Sequence, residues 1–171
     1  VGVGYSAGGA VTTGTDNTLL GGLAGDALTD ADRNTALGRS TLGADTLGSR
    51  AVAVGFGALQ TQNFTTANDN YNIGVGYNAG AAVTTGIQNT LIGGLAGDSL
   101  TDADHNVALG YLALSADTLG STSTAIGRGA LKVQNFTTAT NVYNTAVGNS
   151  AGEAVTTGTL NTLIGGLAGD A

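Results

Sequence analysis

The stretch IGVGYNAGAAVTTGIQNTLIGGLAGDSLTD, Ile73 to Asp102, recurs with a few substitutions as VGVGYSAGGAVTTGTDNTLLGGLAGDALTD from Val1 and as TAVGNSAGEAVTTGTLNTLIGGLAGDA from Thr145. Because 73 − 1 and 145 − 73 agree, the period is 72 residues. Two full units, 1–72 and 73–144, and a partial one, 145–171, account for the whole chain as a single repetitive segment without a linker. A fixed period is the mark of an architecture whose repeats bury their apolar faces only by stacking on one another.

Within each unit a glycine closes a short apolar run four times. These marker glycines are Gly4, Gly21, Gly38, Gly55, Gly76, Gly93, Gly110, Gly127, Gly148 and Gly165, spaced 17, 17 and 17 residues and then 21. Just before them stand Val3, Leu20, Leu37, Val54, Val75, Ile92, Leu109, Ile126, Val147 and Ile164, all branched aliphatics. Two residues earlier come Val1, Thr18, Thr35, Val52, Ile73, Thr90, Val107, Thr124, Thr145 and Thr162, all β-branched. This is strand chemistry. The two columns share one face, and the Gly, Ala or Leu between them points the other way. Both faces are therefore dry, and the small-residue face is the one expected to be left in water by an isolated coil. Three residues after the marker every repeat but one carries Ala, the exception being Thr41, which implies close packing. Four residues before it stand Asn17, Asn34, Asn72, Asn89, Asn106, Asn144 and Asn161, with Ala51 and Ser123 as exceptions. Asparagine tolerates left-handed backbone and bonds neighbouring backbone, so it is assigned to a corner where stacked amides form a ladder.

A repeat this short cannot hold two helices, and its glycines and β-branched residues oppose helix. It can hold two or three short strands with tight corners, which is one coil of a parallel β-solenoid. The fold class is all-β: about ten coils of 17–21 residues. At roughly 4.8 Å per coil they rise about 48 Å. So thin a coil buries little apolar surface. The expected remedy is burial against sister chains, with a homotrimer as the preferred closed arrangement. Both ends fall inside the repeat, so further coils and end-to-end continuation of the fibre are expected.

Composition narrows the function classes. The 171 residues include 30 Gly, a single His and no Pro, Cys, Met or Trp. Thiol catalysis, disulfides, Cys-ligated zinc and multi-histidine metal sites are thereby excluded, and neither an enzyme, a cofactor nor a metal is expected. Arg33, Arg39, Arg50, Arg128 and Lys132 stand against 12 acids for a net charge of −7, and they are too scattered to make the basic stripe that nucleic acid requires. No apolar run is long enough to span a bilayer, so no membrane insertion is expected of this segment. A hydrophobic content of 42 % and a mean hydropathy of +0.17 favour an ordered chain over a disordered one.

The lengthened coils carry TQNFTTANDNYN (Thr61 to Asn72) and VQNFTTATNVYN (Val133 to Asn144), so Phe64, Tyr71, Phe136 and Tyr143 recur one period apart. Insertions in solenoids are extruded as loops, and aromatics beside Asn and Thr suit contact with a glycan or protein receptor. The same rings could instead fold down over the coil and seal a seam between chains. Asn63 and Asn135 open N-glycosylation sequons. Asp30, Asp32 and Asn34, repeated as Asp102, Asp104 and Asn106, begin like a calcium loop, but Thr35 and Thr41 occupy the positions of its glycine and glutamate. An acidic solvated corner fits better. GGLAGD lacks the lysine of a phosphate cradle, the Thr-Thr-Gly pairs are too sparse for an ice-binding array, and His105, which replaces Arg33, reads as surface decoration.

The runs NTALGRSTL from Asn34, NVALGYLAL from Asn106 and NTAVGNSAG from Asn144 resemble the head repeats of trimeric autotransporter adhesins. They are still more similar to the Asn-Thr-Ala-Gly-rich shafts of phage tail fibres and related surface fibres. The resemblance implies a left-handed parallel β-roll wound as a tight homotrimer. It also implies an extracellular location, on a virion tail fibre or a bacterial cell surface, and a structural shaft that presents a binding tip. The four-residue lengthening of every fourth coil and the glycine-rich LGGLAGD coil depart from that pattern.

Overall fold

The computed structural model describes residues 1–170, so Ala171, the last residue of the repetitive segment, lies outside the described residues. The chain is a parallel β-solenoid of about ten turns. Its main sheet has ten strands: β1 (Gly2–Val3), β2 (Thr18–Leu20), β3 (Thr35–Leu37), β5 (Val52–Val54), β7 (Ile73–Val75), β8 (Thr90–Ile92), β9 (Val107–Leu109), β11 (Thr124–Ile126), β13 (Thr145–Val147) and β14 (Thr162–Ile164), adjacent in chain order. The register is strict: Val54 lies opposite Val75, Val75 opposite Ile92 and Ile92 opposite Leu109. Coils of 17 and 21 residues thus pair identically in this sheet. The extra residues are taken up at another corner, where β4 (Gly48–Ser49) pairs with β6 (Asn68–Asp69) and β10 (Gly120–Ser121) with β12 (Thr140–Asn141).

The two faces of the main sheet are reversed from the sequence expectation. In eight of the ten strands the middle residue is buried while its neighbours stay partly or fully exposed, as in Thr35-Ala36-Leu37 and Thr90-Leu91-Ile92. The small residues therefore line the interior, and the branched aliphatics look outward. The reason is room. Ala36, Ala53, Ala108 and Ala125 share their coils with the fully buried Leu42, Leu59, Leu114 and Leu131. Where the strand instead contributes Leu91, the matching position is Gly97, whose missing Cβ would lie 2.8 Å from a Leu91 methyl. In these coils one of the two positions supplies a leucine and the other stays small, so the section has no room for a larger strand residue.

The marker glycines form a column. Gly76 has φ +138°, and a Cβ there would lie 2.5 Å from the carbonyl oxygen of Gly93 in the next coil. From Gly4 to Gly148 each marker meets the next one's backbone in this way. Only a residue without a side chain lets these backbones touch at that dihedral.

The left-handed corner lies one residue earlier than the asparagines. Asp16, Arg33, Arg50, Tyr71, Gln88, His105, Thr122, Tyr143 and Leu160 have φ between 53° and 65°. Turning the chain at this residue sends the following asparagine inward, where its amide is needed.

Candidate functional site

Inside the corner the asparagines form a one-way ladder along the axis. Asn89 Oδ1 accepts from the Asn106 backbone N–H at 3.0 Å, and Asn89 Nδ2 donates to the Ala103 carbonyl at 2.7 Å. Asn17, Asn34 and Asn106 repeat this pair of bonds to the coil that follows. These side chains are buried, so each bond replaces hydration that the fold has removed.

At Ala51 the ladder is interrupted because another group needs the space. Gln62 enters the interior, donates from Nε2 to Asp45 Oδ2 at 2.5 Å, and accepts from Asn72 Nδ2 at 2.9 Å. Asn70 Oδ1 takes over the bond to the Asn72 N–H that an asparagine at position 51 would have made. The second unit repeats the chain as Asn144, Gln134 and Asp117, with Ser123 Oγ accepting from Gln134 as well. Asp45 and Asp117 have no solvent exposure. Asp45 Oδ1 also accepts the N–H groups of Gly48 and Phe64. Burial pushes the Asp45 carboxyl above its ordinary value, against the opposing pull of Gln62, Phe64 and Gly48.

Donation runs from Asn72 to Gln62 to Asp45 and must end on a group that only accepts. An amide at the terminus faces N–H with N–H, and turning Gln62 merely transfers the conflict to Asn72. Asp45→Asn is therefore expected to lower stability by about 1–3 kcal/mol despite its equal size. Urea melts of Asp45→Asn and Asp117→Asn should both show the loss, and unchanged midpoints would refute this polarity.

The candidate aromatics of the lengthened coils separate into two kinds. Phe64 and Phe136 are buried, 6 % and 8 % exposed, and the Phe64 ring lies against Gly48 over the Asp45 carboxylate. Tyr71 and Tyr143 stay on the surface at 48 % and 55 %. Arg50 lies over the Tyr71 ring at 5.6 Å and pairs with Asp69 at 2.9 Å. Thr122 holds the corresponding place beside Tyr143. Asp32 accepts from the Thr15 N–H at 2.6 Å and the Thr15 hydroxyl at 2.8 Å, bonds that hold its carboxyl below the ordinary value. Asp30 and Asp102 accept from Thr13 and Thr85. Among the described residues no three His, Cys, Asp or Glu side chains are grouped to hold a metal. His105 is exposed on the left-handed corner, and no helix among the described residues is long and apolar enough to cross a membrane.

The broadest feature is the outward face of the main sheet. It consists of the two β-branched and aliphatic columns and, beyond the marker glycine, of Tyr5, Gly22, Arg39, Phe56, Tyr77, Gly94, Tyr111, Arg128, Asn149 and Gly166. Leu20, Leu109, Tyr77 and Tyr111 are 42–57 % exposed. Phe56 and Tyr77 stack with centroids 5.7 Å apart and planes at 14°, and Arg39 caps the stack 5.7 Å from the Phe56 centroid. Tyr111 leans back over Gly94, whereas nothing lies within 4 Å of a Cβ built on Gly22. All 12 acids lie off this face, and its charges are Arg39 and Arg128.

Sequence reasoning passed over both the post-glycine column and the interior acids. The column seven residues after the marker reads Val11, Leu28, Asp45, Gln62, then Val83, Leu100, Asp117, Gln134. A polar pair recurring in an otherwise apolar column was the available signal. No family model matches the chain, and comparison with curated proteins and with solved structures returns no match.

Proposed function

We propose that the chain is a non-catalytic structural element: a shaft segment of an extracellular fibre, on a virion tail or a bacterial surface, that associates as a homotrimer and holds a binding tip at a distance. The observation that carries this reading is the outward face, ten rungs tall, predominantly apolar and free of acids in a chain of net charge −7. Like-charged chains associate most readily where neither brings its excess charge. A face about 48 Å tall and roughly 15 Å wide offers on the order of 700 Å² per chain, close to the ~800 Å² per partner of a standard interface. Exposed apolar patches of this extent mark interaction surfaces.

Sedimentation should give three times the 16.5 kDa chain mass. Val75→Glu, on the outward face, should keep the β spectrum but weaken association by at least ~100-fold, because like charges would be forced together in a dry seam. A wild-type chain that sediments as a monomer would defeat the reading.

A second reading, adhesion to a surface glycan or protein, draws on the exposure of Tyr71 and Tyr143 at matching corners of the two units. Tyr71→Ala with Tyr143→Ala should abolish adhesion under that reading and leave it unchanged under the first, with assembly intact in both.

A further inference from the structure

Resting on that self-association, we infer that a sister chain grips the outward face in bands: some rungs make dry contacts, and the rungs between them stay hydrated. Each rung presents three outward positions, namely a β-branched residue, the aliphatic before the marker glycine and the residue after it. The first and third change together. Counting coils by their marker glycines, coil 4 carries Val52 with Phe56, and one period later coil 8 carries Thr124 with Arg128. Coil 3 carries Thr35 with Arg39, whereas coil 7 carries Val107 with Tyr111. Coil 5 carries Ile73 with Tyr77, whereas coil 9 carries Thr145 with Asn149. No rung of the ten mixes the two kinds: valine or isoleucine always accompanies a ring, and threonine always accompanies glycine, arginine or asparagine.

Nothing inside the chain demands this pairing. Threonine and valine have nearly the same shape and both suit a strand, so the ladder does not choose between them. The two positions lie four residues apart, on the order of 10 Å along the rung, with the aliphatic side chain between them. They answer jointly only to something that covers the rung from end to end. A rung of valine and a ring gains by being dried, whereas a threonine hydroxyl, a guanidinium or an amide costs to dry unless a partner bonds it. Coils 4 and 5 are adjacent and their rings stack at 5.7 Å, so Val52, Val54, Phe56, Ile73, Val75 and Tyr77 form one apolar band two rungs tall. Coil 3, with Thr35 and Arg39, and coil 6, with Thr90 and Gly94, border it as wet rungs. A cluster of rings surrounded by wetter contacts is the arrangement that concentrates binding energy in protein interfaces.

The chain supplies the test, because each kind of pair already stands on an equivalent backbone one period away. Ile73→Thr with Tyr77→Asn gives coil 5 the pair that coil 9 carries, without a change of charge. Sedimentation across a dilution series should show the concentration for half-assembly rising at least ~10-fold. The reverse exchange, Thr145→Ile with Asn149→Tyr, should lower that concentration by ~5-fold or more, and it carries the test should the first variant fail to fold. Ile73→Thr alone and Tyr77→Asn alone should each bring most of the double loss, because water admitted at one end wets the whole rung. Half-assembly concentrations that move less than about twofold in both double exchanges, or single losses that merely sum to the double loss, would overturn the bands while leaving the fibre reading standing. Native chains that stay monomeric at every concentration would overturn both.

Discussion

Gly76→Ala is expected to destabilise the fold by roughly 3–5 kcal/mol, well beyond what an exposed methyl group ordinarily costs. Two effects add. The residue holds φ +138°, where an L side chain is strained, and its Cβ would meet the Gly93 carbonyl and the Gly94 amide nitrogen at 2.5–3.0 Å. Neither neighbour can yield separately, because Gly93 donates its own N–H to Val75 at 2.8 Å and anchors the next coil. Gly43→Ala, off the outward face, is the matched control: a Cβ there meets nothing closer than 3.5 Å, and the change should stay within about ±0.5 kcal/mol. Equal midpoints for the two variants in chemical denaturation would remove the glycine column from the account of stability.

Asn89→Leu keeps the number and branching of side-chain heavy atoms and removes the ladder chemistry. The Asn106 N–H loses its acceptor, and the Ala103 carbonyl loses a donor at 2.7 Å, both inside the coil. At about 1–3 kcal/mol for each buried group left unpaired, the loss should reach roughly 3 kcal/mol. Because stability in a solenoid is a sum of neighbour terms, the damage should centre on the two coils that Asn89 joins. Hydrogen exchange should show the amides of Asn106 and Val107 losing protection first, with those near Asn17 unchanged. Uniform loss along the rod would contradict a local ladder.

Much of this fold could be read from residue spacing alone, for a physical reason: a ladder of parallel rungs repeats its side-chain demands once per coil. The branched residue before each marker glycine, from Val3 to Ile164, pairs in register with its counterpart because every rung imposes the same geometry. Inside and outside were not legible. The alternation puts Ala36 opposite in sense to Leu37, yet which side is interior depends on what else fills the section. Leu42, from another part of the coil, settles that. Asp45 and Gln62 were missed for the same reason, since a carboxylate reads as surface until closure of the coil places its column inside. The rings of Phe56, Tyr77 and Tyr111 were obscured by the glycines and arginines of their own column. For Phe64 the sequence left two places open, and its burial over Asp45 follows from the backbone bond between them.

The inter-rung bonds run parallel to the rod, and that direction governs how the molecule takes load. Pulling on the two ends of a single chain opposes its rungs one after another, so each peels away separately. A coil that lets go unspools 17 residues, or roughly 60 Å of slack at full extension. A lone strand of this design would behave as a tape that lengthens under tension, whereas lateral bonding of several tapes would make it a cable.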